Sequence, residues 1–356
     1  MQKIKSMNSE VISKELALLN QAKLTKQDIK SALFNLIIYT TDSKKDHSFE
    51  ENLQKIQSQF PCRIIFLQEY RRSDDFIEVN VSCENSPLCI SQISINFSGK
   101  EIDQVPYLLL PHLIPDLPIY LLWRQPPEEN SIILSTLKPL ATRVIFDFFP
   151  SDCFHLFAKE LLRFKAAGIE MVDMNWIKIF GWRQIFARAF DTQERIDLLE
   201  KTSSLLITYH SSDDGCFKKI ACSFYLQAWI AVCLKWKAVE IKKEKKNFII
   251  IYEKEQRKIL VTISPMQQSK FLDGEIVKLE LKSYDEYECI FLRQSTTQLE
   301  VKACDPYQCS LPFHMNLPSL QSGKSFIQEV FYEKISEHYF SLLHLISQIE
   351  QLKEGH

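Results

Sequence analysis

The sequence predicts an α/β protein: a layered N-terminal domain on a mixed or parallel sheet, followed by an α+β C-terminal domain with an antiparallel meander. Three observations predict it. Compact apolar runs of strand length alternate with helix-compatible stretches in the first half. Alternating runs follow each other at short spacing between Val239 and Ala303. A hydrophobic share of 46% over 356 residues is enough to fill two cores.

Taken in order, Val11, Ile12, Leu16, Leu19 and Leu24 give residues 1–30 a modest amphipathic stripe, read as a helical arm. Leu33 to Tyr39 and Ile64 to Leu67 are strands on either side of a helix at His47 to Phe60. Phe76 to Val81 and Ile90 to Phe97 are further strands, as are Leu117 to Trp123 and Arg143 to Phe146. Helical stretches fall near Val105 to His112, Ser131 to Leu137, Asp152 to Lys165 and Asn175 to Phe190. This domain is expected to span 31–195. The second, 196–356, opens with a strand at Ser203 to Tyr209 and a buried helix at Gly215 to Trp236, in which Phe217, Ile220, Phe224, Ala228, Trp229 and Val232 point to more than one side. Six alternating runs then form the meander, with Lys and Glu on its outer face. A closing helix covers Ser325 to Leu352, with Phe331, Ile335, Leu342, Ile346 and Ile349 at helical spacing.

Composition narrows the function. Lys plus Arg (43) nearly balance Asp plus Glu (45), so no long-range field favours nucleic acid or an anionic membrane. No apolar stretch approaches the length of a membrane span and no export signal opens the chain, which predicts a cytoplasmic protein. The ten cysteines show no C-x-x-C spacing and are read mostly as buried thiols, without a metal site or a disulfide framework. Seven glycines leave neither G-x-G-x-x-G nor a phosphate-cradling G-x-x-x-x-G-K-S/T, so no nucleotide cofactor is expected. The eight histidines fall in no H-E-x-x-H or nucleophile setting, and Cys62, opening a strand, is read as core.

Two tryptophan-bearing constellations stand out. The first is Pro115-Asp116-Leu117-Pro118-Ile119-Tyr120-Leu121-Leu122-Trp123, then Arg124, Gln125, Pro126 and Pro127. Pro118 fits only near the start of a strand and the proline pair ends it. That puts Trp123, Pro126 and Pro127 at the strand's C-terminal end, where open α/β sheets meet ligands and partners. The second runs from Asp173 to Arg183. Asp173 and Asn175 suit a helix N-cap, and Trp176, Ile179, Phe180, Arg183, Phe186, Ala187 and Phe190 follow one helical face. Arg183 on that stripe needs a partner, for which Asp116 and Asp147 are candidates.

Together these blocks resemble the glucose-6-phosphate dehydrogenase assembly protein family of the OpcA type. The resemblance is carried in order by Asn35-Leu36-Ile37-Ile38-Tyr39, Phe60-Pro61-Cys62-Arg63-Ile64-Ile65, Leu108 to Trp123 with Pro126-Pro127, Arg143 to Asp147, and Asp173 to Arg183. The chain departs from the family at Leu122, at Arg124-Gln125 and at Lys178-Ile179-Phe180. The resemblance implies a non-catalytic protein that binds glucose-6-phosphate dehydrogenase and promotes its active oligomeric form, feeding NADPH production. Asp116, Trp123, Pro126, Pro127, Asp173, Trp176, Trp182 and Arg183 are its candidate contacts. The alternative is an α/β enzyme or binding protein for a sugar phosphate or sugar nucleotide, working through Arg183 and Asp116.

Overall fold

A computed structural model describes residues 12–14, 32–41, 53, 56, 60–71, 74–82, 89–127, 131–148, 154–212, 220–244, 246–317 and 328–349. The chain divides into two compact units. The first comprises Met1–Phe148, Phe164–Met174 and Ser322–Glu333, and the second comprises Phe149–Arg163, Asn175–Gln321 and Lys334–His356. This partition differs from the expected division at 195–196, because the segment after Asn175 packs with the second sheet: Phe186 and Phe190 lie 6.0 and 6.4 Å from Phe291. Of the expected N-terminal arm, residues 12–14 are helical with Ile12 buried, and the rest lies outside the described residues. So does most of the helix expected at 47–60.

The first unit holds seven strands: β1 (Phe34–Thr41), β2 (Cys62–Glu69), β3 (Phe76–Ser82), β4 (Cys89–Ser98), β5 (Ile119–Trp123), β6 (Arg143–Phe146) and β7 (Met171–Asp173). Their order is β3-β4-β2-β1-β5-β6-β7. All neighbours run parallel except β3 on β4, an antiparallel edge. Leu36, Ile37 and Ile38 are all fully buried, so β1 is covered on both faces, as a parallel centre strand must be. The parallel strands wind outward in both directions from β1, the arrangement of doubly wound nucleotide-binding sheets, and place the topological switch between β1 and β5. Helices α1 (Val105–Leu109) and α2 (Ile132–Leu137) lie between strands of this sheet, α3 (Phe154–Ala166) follows β6 in the chain and α6 (Gln193–Glu200) precedes β8 (Thr202–His210). Ser131 caps α2 by accepting from the Leu134 amide at 3.3 Å.

The N-terminal ends of these strands are tied by polar clamps. Buried Asn35 donates to the Ile114 carbonyl (3.1 Å) and accepts from the Ile114 amide (2.9 Å), while Arg63 donates to the His112 carbonyl (2.7 Å). Burial, then the Arg63 charge, pushes the His112 imidazole down from its ordinary pKa, so it is neutral near pH 7. The helix expected from Ser325 is two elements, because residues 328–332 form a single π turn, a short strap, and helix α8 begins only at Glu337, running to Ile349. The strap belongs to the first unit. Phe331 packs 5.2 Å from Phe34 and 4.5 Å from Tyr120, and buried Arg143 donates to the Val330 carbonyl at 3.0 Å.

The second unit holds an eight-stranded sheet of β8 (Thr202–His210), β9 (Lys237–Glu244), β10 (Asn247–Lys254), β11 (Arg257–Met266), β12 (Ile276–Ser283), β13 (Glu288–Arg293), β14 (Gln298–Cys304) and β15 (Phe313–Asn316). Its order is β15-β14-β13-β12-β8-β11-β10-β9. The expected meander is thus split: β8 enters between β12 and β11, parallel to β11, and the remaining pairings are antiparallel. Period-2 alternation identifies each strand but not its neighbour, so this insertion had no local signal. Helix α7 (Ala221–Cys233) is shorter than the expected 215–236, and Phe217 lies outside the described residues. It is apolar on nearly every side and buried. Phe224 stacks on Phe154 at 4.3 Å and meets Phe248 edge-on at 5.6 Å, and Gln227 accepts from the Tyr252 hydroxyl at 2.7 Å.

One turn carries strain. The β10–β11 hairpin closes on Lys254 opposite Arg257, leaving Glu255 and Gln256 as a two-residue loop with φ of 50° and 65°. Such a turn suits Asn-Gly, and each left-handed residue with a long side chain costs about 1 kcal/mol or more. The double substitution Glu255→Asn, Gln256→Gly is expected to stabilise the protein by about 1–2 kcal/mol, read as a rise in the urea midpoint at unchanged slope.

Candidate functional site

The C-terminal ends of the parallel strands carry most of the first constellation. Tyr39 at the end of β1 and Trp123 at the end of β5 are paired neighbours, and their rings stack at 3.9 Å with planes 7° apart. The Trp123 indole N–H donates to the Pro126 carbonyl at 3.2 Å, which fixes the turn that follows. Around this stack Gln125 donates to the Thr41 hydroxyl (2.6 Å), the Tyr39 hydroxyl donates to Glu69, and Arg124 pairs with Asp147 at 3.5 Å. Trp123 and Pro127 are buried and Pro126 is half-buried. The C-terminal ends of β1 and β5, on either side of the switch point, thus carry a buried aromatic stack and ionic side chains of the chain's own. Asp147, named as a partner for Arg183, is engaged by Arg124. Asp116 lies at the opposite end of β5, roughly 20 Å away at strand rise. It is an exposed turn residue with φ 62°, a conformation that Asp tolerates better than most residues.

The second constellation is resolved into two helices, α4 (Met174–Lys178) and α5 (Phe180–Ala189), joined at Ile179. The break rotates the buried face onto Trp182, Ile185 and Phe186 and leaves Ala187 exposed, unlike the single expected stripe. Asp173, the last residue of β7, is buried in the position before α4, and Asn175 is buried as well. Trp176 and Trp182 are each 5% exposed. Half-buried Arg183 lies with its guanidinium 3.5 Å from the centre of the Trp176 ring and donates to the Trp176 carbonyl at 3.5 Å. Its place on an apolar stripe is thus explained by cation–π stacking within one helical turn. Trp176 in turn packs 5.4 Å from Tyr339 on α8.

Other chemistry-bearing groups resolve as structural. Ser212 donates to one Asp273 oxygen at 2.8 Å while His210 Nε2 sits 3.8 Å from the other, and His210 Nδ1 accepts from the Gln268 amide at 2.9 Å. The carboxylate, not the imidazole, receives the serine proton, so this Ser-Asp-His grouping lacks the order of a nucleophilic triad. No three metal-binding side chains converge among the described residues, and no helix among them is long and apolar enough to cross a membrane. Of the free thiols described, Cys62 and Cys289 are buried, as expected, whereas Cys222 is half-buried and Cys233 exposed at the end of α7; burial pushes Cys289 up to about 11. Cys304 and Cys309, however, form a disulfide. A spacing scan tuned to metal sites misses it, because what brings them together is a chain reversal that sets the two residues opposite each other in an antiparallel bridge.

The comparisons with known proteins agree with the sequence blocks. Residues 53–159 match the glucose-6-phosphate dehydrogenase subunit N-terminal domain and residues 169–324 its C-terminal domain, about three quarters of the chain together. The OxPP cycle protein OpcA of Synechococcus elongatus is 25% identical over 79% of this chain and 61% of its own length. That of Nostoc punctiforme is 24% identical over 63% of this chain and 50% of its own. The chain thus spans half to three fifths of the length of these curated relatives. In fold, it is similar to the oxidoreductase yvaA of Bacillus subtilis (TM-score 0.51, 8% identity, 91% of this chain and 98% of that one). At that identity the likeness concerns the fold alone. With both domain models matched in order and the relatives sharing one description, the chain belongs to the OpcA-type glucose-6-phosphate dehydrogenase assembly family.

Proposed function

We propose that this chain is a non-catalytic accessory protein that binds glucose-6-phosphate dehydrogenase in the cytoplasm, promotes its active oligomeric form and so supports NADPH production. The observation that carries the reading is the ordered match of both domains to the assembly family. The lack of a glycine-rich phosphate loop in the sequence supports it, since sheets of this order hold a dinucleotide at such a loop. Of the sequence-derived contacts, Asp116, Pro126 and Arg183 have surface to offer a partner. Trp123, Pro127, Asp173, Trp176 and Trp182 are buried and act by holding that surface in place.

Activation of this kind is differential binding: the accessory protein must prefer the enzyme's active state, and a preference of ~3 kcal/mol shifts the equilibrium roughly 150-fold. By reciprocity, glucose 6-phosphate tightens the complex. Mixing the protein with the dehydrogenase of the same organism is expected to raise NADPH formation several-fold at sub-saturating substrate and to shift the enzyme towards a larger oligomer in sedimentation. Unchanged rate, substrate affinity and oligomeric state would sink the reading.

A further inference from the structure

Beyond β14 the chain reverses through an exposed loop and returns as the edge strand β15, and residues 304–316 together form an arm along the sheet edge. Cys304 and Cys309 close a six-residue loop by their disulfide. Within it, Asp305 Oδ1 accepts from the Tyr307 and Gln308 amides (2.8 and 2.9 Å), and the Asp305 amide donates to the Gln308 carbonyl at 2.9 Å. Ser310 then rejoins Ala303, its amide donating to the Ala303 carbonyl at 2.7 Å and its hydroxyl accepting from the Ala303 amide at 3.2 Å. Pro306 fixes a further backbone angle. The loop is therefore held by a set of local hydrogen bonds, to which the disulfide adds a covalent closure where the surroundings keep it oxidised, and not by packing against the core.

What this rigid loop displays is apolar. Tyr307 is 96% exposed, Leu311 89% and Phe313 41%. Monomeric surfaces carry scattered apolar residues, but a nearly naked tyrosine and leucine on a pre-ordered reversal are a different matter. Tyrosine offers a large rigid contact at low entropy cost, and pre-ordering removes much of the loss that weakens flexible loops on binding. The arm is also poor in charge. Residues 305–316 contain one carboxylate (Asp305), one histidine (His314) and no lysine or arginine.

The described surface of the second unit is mixed: Val239, Leu260, Met266, Leu272 and Tyr284 are exposed among charged side chains. Its exposed sheet surface carries the ion pairs Lys278–Glu280, Lys282–Glu288, Lys242–Glu240, Lys254–Glu200 and Lys201–Asp285. A second copy is therefore one outcome of the test below, and it is the family match that points to a different protein. The arm lies within residues 169–324, the stretch matched by the C-terminal domain of the assembly family.

We propose that the arm of residues 304–316 is an anchor by which the chain docks on glucose-6-phosphate dehydrogenase, with Tyr307 and Leu311 seated in an apolar cleft of that enzyme; this rests on the function proposed above. The test is a titration of the dehydrogenase with wild-type protein, with the double variant Tyr307→Ala, Leu311→Ser, and with Tyr307→Phe. NADPH formation and co-sedimentation are followed. The double variant is expected to need about 100-fold more protein for half-maximal activation, and Tyr307→Phe to stay within about threefold of wild type. Both residues are nearly fully exposed, so all variants should melt with the wild type; if the double variant does not, Tyr307→Ala alone is read, with an expected loss of about 10-fold.

The outcomes separate the two ideas. Wild-type activation matched by the double variant overturns the anchor and leaves the proposed function standing. Absence of activation by the wild type itself overturns both. Wild-type self-association that the double variant abolishes, with dehydrogenase binding unchanged, assigns the arm to a second copy and also overturns the proposal.

Discussion

Trp123→Ala is expected to cost the first unit about 3–5 kcal/mol, the range for emptying a buried aromatic site. The indole is 1% exposed, stacks face to face on Tyr39 and donates to the Pro126 carbonyl. Truncation therefore removes packing, a ring–ring contact and the bond that shapes the proline turn. The loss should appear as a large fall in the urea midpoint. Trp123→Phe keeps most of the stack and loses the N–H donor, so it should cost nearer 1 kcal/mol beyond its volume change. The pair of variants also separates scaffold from contact. If Trp123 acts only by holding the turn, the phenylalanine variant activates the dehydrogenase in proportion to its folded fraction. Wild-type stability for the alanine variant would contradict the burial described above.

Phe331→Ala should be comparably severe, about 3–5 kcal/mol, although it lies in a single turn far along the chain. Phe331 is 5% exposed and sits against Phe34 and Tyr120, at the N-terminal ends of β1 and β5. Without the ring the strap loses its apolar hold, and the Arg143 guanidinium, 7% exposed, risks losing the Val330 carbonyl that satisfies it. Glu170, 3.9 Å away and mostly exposed, would then be the ion-pair partner left to a buried cation, and a lost hydrogen bond to a charged group costs about 1.5–3 kcal/mol. Limited trypsin digestion gives a second reading, since exposed Lys334 lies two residues beyond the strap. Cleavage there should accelerate in the variant by one to two orders of magnitude, in line with the lost local stability. Equal digestion rates and equal midpoints for the two proteins would show that the strap is not held by this ring.

Much of the architecture was legible in the chain. Arg143 to Phe146 is the same strand in both readings, and the runs at Phe76, Ile276 and Glu288 start strands where alternation begins. These succeed because burial on one face imposes period 2 and burial on both imposes an unbroken apolar run. The failures have two causes, shortness and non-local pairing. Met171–Asp173 is too short to show a period, and the entry of β8 between β12 and β11 depends on pairing partners distant in sequence. Residues 325–335 carry apolar spacing that fits a helix, but Phe331 is claimed by aromatic rings of the first sheet. At the candidate site, the tryptophan blocks marked the family correctly, because their spacing reflects the positions of a strand end and a helix junction. Spacing alone did not reveal that Arg183 rests on Trp176, or that Tyr307 is held aloft by Cys304 and Cys309.

The strap also sets an order of events during synthesis. The seventh strand of the first sheet is complete at Asp173, yet the segment that closes that unit is not made until residues 328–332, some 150 residues later. At about 5–20 residues per second, the nascent sheet waits roughly 10–30 s with Phe34 and Tyr120 lacking their aromatic cover. During that interval the whole second sheet leaves the ribosome. A chain cut short before the strap would be a strong client for chaperones, whereas the finished chain buries the same rings within one turn of its own backbone.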